Sequence, residues 1–213
     1  TNSGYTNKVK PEHILWIDFT GLPAAGLGTN NEANFQGGHD FVPRLRDEPK
    51  DKKGRQGELK AALAANGHEF GGYGGASPLP LLADRSSWDD GDLRYDKTFT
   101  QEYEGIPLKF VYCKKLWNLS SEFSPRGNKS ENNVMIRLAD IYLMAGEAEN
   151  ELNGPDNAYQ YVNKVRERAF EPDQPWSGMT QSEFRVEMQE ERMHELCMEN
   201  HRKPDLVRWG IYV

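Results

Sequence analysis

A short break, Asn153-Gly154-Pro155, stands between two stretches of helical periodicity and limits the architecture more than any other segment. Before it, Leu138, Ile141, Ala145, Ala148 and Leu152 step by three and four residues, which predicts one apolar helix face. After it, Ala158, Tyr161, Val162, Val165 and Ala169 give a second helix its apolar stripe. Glycine stops the first helix, and proline is tolerated in the opening turn of the next, where an N–H has no intrahelical partner. Helices of this length joined by so short a turn pack antiparallel, as in the αα-hairpins that tetratricopeptide repeats stack. No strong second copy recurs at the roughly 34-residue period of such repeats.

A third helix is predicted to open at Thr180-Gln181-Ser182-Glu183, a capping-box pattern in which Thr and Glu satisfy each other's exposed backbone N–H groups. It is expected to run from Gln181 to about Met198. Pro204 disfavours helical backbone at Lys203, so this helix is expected to have ended before then. The earlier residues follow another grammar, punctuated by Gly, Pro and Asn in runs such as Gly26 to Asn31 and Gly71 to Gly75. Short strands are predicted at Ile14 to Phe19 and Leu108 to Tyr112, and a short helix from Gly57 to Asn66 through Leu59, Ala62 and Leu63. The expected fold is mainly α: tetratricopeptide-like helical hairpins over 133–213, with a loop-rich region carrying a few short strands over 1–132.

Function classes fall away on chemistry. A formal charge of −7 with no basic stripe argues against nucleic acid, whose backbone demands clustered Lys and Arg. No apolar run approaches the roughly 20 residues of a membrane span. Cys113 and Cys197 are too few for a disulfide framework or a four-ligand zinc site. Thr1-Asn2-Ser3-Gly4 is neither a signal peptide nor a lipoprotein cleavage site, and the chain is expected to be a processed or partial form.

The third helix concentrates charge. Glu191, Glu195 and Glu199 recur every fourth residue, and Glu191-Arg192-Met193-His194 has the Glu-x-x-His spacing of di-iron bundles. Such a centre needs a second copy of the motif and two further Glu-bearing helices, and neither is evident. His194 and His201 are seven residues apart, roughly 10 Å along a helix, too far to share one zinc. The stronger reading is an ion-pair network joining these acids to Arg137, Arg166, Arg168, Arg192, Arg202 and Arg208. Gly71 to Gly75 leads into Pro78 and Pro80 rather than a helix N-terminus, so it is no phosphate cradle. No Gly-x-Ser-x-Gly occurs, and no histidine spacing nominates a general base. Asp89, Asp90 and Asp92 could serve as glycosidase carboxylates, but the simpler reading is a solvated turn. Catalytic residues, metal ligands and cofactors are therefore all read as none, and the chain as no enzyme.

Three ordered blocks resemble one family. Ile136 to Ala148, IRLADIYLMAGEA, resembles a signature helix of SusD/RagB proteins, with Gly146 where alanine is usual. Val162 to Ala169, VNKVRERA, resembles their next helix. Glu191 to Leu196, then Glu199, Arg202 and Asp205 to Gly210, resemble their third block. Glu12 to Phe19, Asp92-Leu93-Arg94 and Lys114-Lys115 agree more loosely. The resemblance implies a nutrient-binding lipoprotein at the outer-membrane surface, held by an N-terminal lipid that this chain lacks. It also implies that this is a C-terminal half, missing further tetratricopeptide-like helices. The implied partner is a SusC-like TonB-dependent transporter, and the implied ligand an oligosaccharide, with a peptide in the RagB branch as the alternative. The signature Arg, Glu and Trp positions are implied to be structural.

Sugar-binding surfaces use aromatic faces for stacking and a few polar groups for orientation. The candidates are Tyr73, whose flanking glycines let a ring project; Trp88, beside Asp89 and Asp90; and Trp117, with Phe35 and Tyr103 behind them. Trp16 and Trp209 are expected to be buried. A tetratricopeptide-like scaffold that binds protein and no nutrient is the rival class, although it would not need so extensive a loop-rich half.

Overall fold

The structure is a computed structural model that describes residues 11–17, 43–45, 55–65, 74–75, 77–115 and 133–213. In chain order the elements are β1 (His13–Ile17), α1 (Arg55–Ala65), α2 (Pro80–Ala83), a 3₁₀ turn (Arg85–Ser87), α3 (Arg94–Thr98), β2 (Phe99–Tyr103) and β3 (Ile106–Cys113). Then come β4 (Asn133–Arg137), α4 (Leu138–Asn153), α5 (Tyr159–Ala169), α6 (Gln181–Glu195) and α7 (Arg202–Arg208). The fold is mainly helical with a few short strands, as expected. Residues group into two compact units: one gathers 1–8, 17–87 and 96–133, the other 9–16, 88–95 and 134–213.

The loop-rich unit is organised by a hairpin. β2 and β3 pair antiparallel with Tyr103 opposite Ile106, which leaves Glu104 and Gly105 as a two-residue turn. Both have positive φ, 49° and 78°, the conformation whose twist matches the flanking strands. The ladder is irregular between Thr100 and Glu102. There the Thr100 hydroxyl takes the Glu102 N–H at 3.1 Å, replacing a lost ladder bond. Tyr103, Leu108 and Tyr112 of the hairpin pack with Leu59 and Leu63 of α1, all buried. The predicted helix and second strand are thus present, the strand longer than expected and the helix within two residues; β2 was not anticipated. Of the first predicted strand, Ile14 to Ile17 lie in β1, which also takes in His13, while Asp18 and Phe19 lie outside the described residues.

In the helical unit, α4 and α5 form the expected hairpin, α6 packs on α4, and β1 pairs with β4. The turn is longer than expected: Pro155 accepts from Ala158 and Tyr159, and α5 begins only at Tyr159. Ala158, Val162, Val165 and Ala169 are buried as predicted, with Tyr161 half-buried. The buried face of α4 is not the predicted one. Ala139, Leu143, Gly146 and Asn150 point inward, with Asp140, whereas Ile141 is 37% exposed and Leu152 79%. The reason is how closely the helices approach. A Cβ built on Gly146 would lie 3.3 Å from Met188 Cε and 3.6 Å from both the Ala158 carbonyl and Tyr161 Cβ. Gly146 sits at this close approach and Leu143 fills the same buried face, while Leu138, Ile141, Met144 and Leu152 turn outward. Leu143→Ala is accordingly expected to cost about 2–4 kcal/mol. Leu152→Ala should stay within about 0.5 kcal/mol. Urea unfolding of the two variants tests the face, and the opposite order would restore the predicted stripe.

The capping box forms as read: the Thr180 hydroxyl accepts from Glu183 N–H at 3.3 Å, and Glu183 accepts from Thr180 N–H at 2.8 Å. The helix it opens stops at Glu195, short of Met198, which has left-handed backbone at φ 65°. It has ended before Lys203, as expected, and Lys203 belongs to a separate helix, α7. Pro204 is the third residue of α7, a first-turn position where its missing N–H breaks no intrahelical bond.

Candidate functional site

The acidic row begun on α6 is met by arginine at every step. Glu191 Oε1 accepts from Arg94 Nη1 at 2.5 Å and its Oε2 from Arg166 Nη1 at 2.9 Å. Glu195 Oε1 accepts from Arg137 Nη1 at 2.6 Å and from Arg168, and its Oε2 from Arg94 at 3.2 Å. Glu199, past the helix end, takes Arg137 Nε at 2.7 Å and Nη2 at 2.9 Å. Arg94 also grips Asp92 at 2.7 Å. Burial works against the guanidinium charge of Arg94, but Glu191 and the bonds to Asp92 outweigh it, so its pKa stands above the ordinary arginine value. Arg137 behaves alike through Glu199 and Glu195.

A second cluster continues the pattern. Arg192 binds Asp205 at 2.9 and 3.1 Å and pairs with Asp140 at 3.0 Å. Arg208 joins Asp205 at 2.8 Å and Glu147, and Trp209 Nε1 donates to Glu147 at 2.7 Å. Of the six arginines expected to meet acids, Arg202 instead donates to the Gln189 carbonyl at 3.1 Å. Charge-assisted bonds to guanidiniums occupy these carboxylates, and the arrangement joins α6 to its neighbours. Arg94 is the member that sequence reading did not place in the network. Its one signal was the Asp92-Leu93-Arg94 turn.

The aromatic candidates fare unevenly. Trp88 is 4% exposed, stacked on His194 at 4.1 Å with an interplanar angle of 24°. Tyr95 meets it edge-on at 5.8 Å. This ring is engaged in packing and offers no open face. Tyr73, Trp117 and Phe35 lie outside the described residues. Tyr103 is core, at 2% exposure. Trp16 and Trp209, expected to be buried, are half-buried. The Asp turn is not uniformly solvated: Asp89 and Asp90 are exposed, but Asp92 is buried against Arg94. Among the described residues no helix is long and apolar enough to cross a membrane.

A profile of the SusD family matches residues 83–213. A SusD-like protein of Formosa agariphila is 49% identical over 173 residues, covering 80% of this chain and 32% of its own. A second SusD-like protein of that organism is 30% identical over 165 residues, 66% of this chain and 32% of its own. The chain thus spans about a third of the length of the curated relatives it matches. Among solved structures, a SusD superfamily protein from Parabacteroides distasonis superposes with TM-score 0.63 at 20% identity, over 92% of this chain and 39% of that one. Surface glycan-binding protein A from Bacteroides thetaiotaomicron, in complex with laminarihexaose, gives 0.64 at 16% identity, over 94% and 43%. At these identities the superpositions show a shared fold.

Proposed function

The chain belongs to the SusD family, and from that premise we propose that it is part of a non-catalytic, surface-exposed lipoprotein that captures oligosaccharide. The observation that carries the proposal is the family match, which takes in both ion-pair clusters that hold the helical unit together. The fold shared with a protein solved around laminarihexaose supports a glycan over a peptide. In this reading, captured glycan passes to a SusC-like TonB-dependent transporter at the outer membrane. The loop-rich unit presents the ligand, and the helical unit is the scaffold.

Tyr73 and Trp117 are the proposed stacking faces. Trp88, covered by His194, is assigned to holding its own segment. Calorimetry and affinity electrophoresis against a panel of polysaccharides and peptides test this. Saturable glycan binding without turnover is expected, weakened roughly two- to tenfold by Tyr73→Ala or Trp117→Ala. Peptide binding in place of glycan would move the protein to the RagB branch. Turnover of the glycan, or binding to neither panel, would defeat the proposal.

A further inference from the structure

The Trp88–His194 pair plays no part in the proposed ligand surface, and its surroundings are unusual for a histidine. His194 is 7% exposed, and its Nε2 is buried with no hydrogen-bond partner. A neutral imidazole can leave one ring nitrogen unpaired at modest cost, because that nitrogen is then only an acceptor. An imidazolium cannot, because it carries N–H on both nitrogens and a full charge that burial penalises.

The groups facing the ring decide whether a proton would be welcome. From the segment preceding and opening α3 come Asp89, Asp92 and Arg94; from α6 itself comes Glu191; from α5, Arg166 reaches Glu191 and Asp89. The acids are already engaged. Both Glu191 oxygens accept from Arg94 or Arg166, and both Asp92 oxygens accept from Arg94. Arg94 repels a second positive charge, while Glu191, Asp92 and Asp89 still favour one. Burial first, and Arg94 second, hold the His194 pKa below the usual histidine value.

We propose that the Trp88–His194 stack is a proton-operated latch: closed at neutral pH, it pins residues 88–95 to α6, and protonation of His194 opens it. The inference does not depend on the ligand proposal. The segment it controls carries Arg94, so opening also withdraws a cation from Glu191 and Glu195. In chain terms residues 88–95 are flanked on both sides by segments of the loop-rich unit. The sign follows from linkage. The open state has an ordinary histidine, with a pKa of about 6.5, and the closed state a lower one. The open state therefore binds protons more readily, and the closed state loses ground as pH falls below about 6.5, by up to about tenfold per pH unit. The loss levels off once the buried His194 itself titrates.

Amide hydrogen exchange read by mass spectrometry at about pH 7.5 and about pH 5, corrected for intrinsic rates, tests the latch across the histidine range. Protection over residues 88–95 should fall in acid while α5 is unchanged, and His194→Gln should remove the dependence. Equal protection at both pH values, or an acid response that survives in His194→Gln, would overturn the proposal. If that variant does not fold, the wild-type imidazole titration by NMR decides. His194 must titrate below the exposed histidines, and a pKa at or above theirs ends the idea.

Discussion

Replacing Glu191 with alanine is expected to lower the unfolding free energy by about 3–5 kcal/mol, read from urea titrations at neutral pH. The size follows from charge balance. Arg94, Arg137, Arg166 and Arg168 face Asp92, Glu191, Glu195 and Glu199, so cations and acids cancel, with the more exposed Glu12 and Asp89 at the rim. Removing Glu191 leaves Arg94 and Arg166 inside the protein, one carboxylate short and still charged. Neither guanidinium can escape by losing its proton, because arginine stays protonated at any accessible pH.

The same logic predicts strong coupling. Once Glu191 is gone, adding Arg166→Met should cost far less than Arg166→Met alone, since a buried pair replaced by apolar groups is often neutral. Because Glu191 and Arg166 are buried, the loss should survive at about 1 M salt, where a surface pair would be screened. A Glu191→Ala cost below about 1 kcal/mol, or one that vanishes in salt, would mean that the network is wet and contributes as little as surface pairs do.

How much of this was legible in the sequence depended on range. Capping at Thr180, the reversal at Gly154 and the α5 stripe are set within a few residues of one another, and each was read correctly. The α4 face failed because periodicity reports which arcs are apolar and not which arc a neighbour can approach. Two apolar arcs run along α4, and the narrow seam beside Ala158 selected the one with Gly146. The β2 strand was hidden by its outward Thr100, Gln101 and Glu102, although Glu104-Gly105 before Ile106 was a hairpin signal. Arg94 could not have been placed from local pattern, since its partners Glu191 and Glu195 are 97 and 101 residues away. Trp88 was misjudged for the same reason. Asp89 and Asp90 follow it in sequence, but in space its ring lies against His194 and Tyr95.

Phe184→Ala should produce the other large loss, about 3–5 kcal/mol, because nothing around the ring can collapse into its space. Phe184 is fully buried at the centre of the helical unit's core, with Tyr159 edge-on at 5.6 Å and Trp176 edge-on at 5.5 Å. Both neighbours are anchored. The Tyr159 hydroxyl accepts from Met179 N–H at 2.7 Å, and Trp176 is held by the Asn163 side chain through bonds of 2.8 and 3.0 Å. The Tyr159 ring cannot swing inward without giving up its hydroxyl bond, and the Trp176 backbone is pinned, so truncation leaves a cavity on top of the lost transfer energy. Phe184→Leu, which keeps most of the volume, should recover much of the stability. Denaturant unfolding of the two variants separates the outcomes. If alanine costs no more than leucine, the core around α6 is loosely packed, and the helical unit owes its order to the arginine–carboxylate network rather than to Phe184.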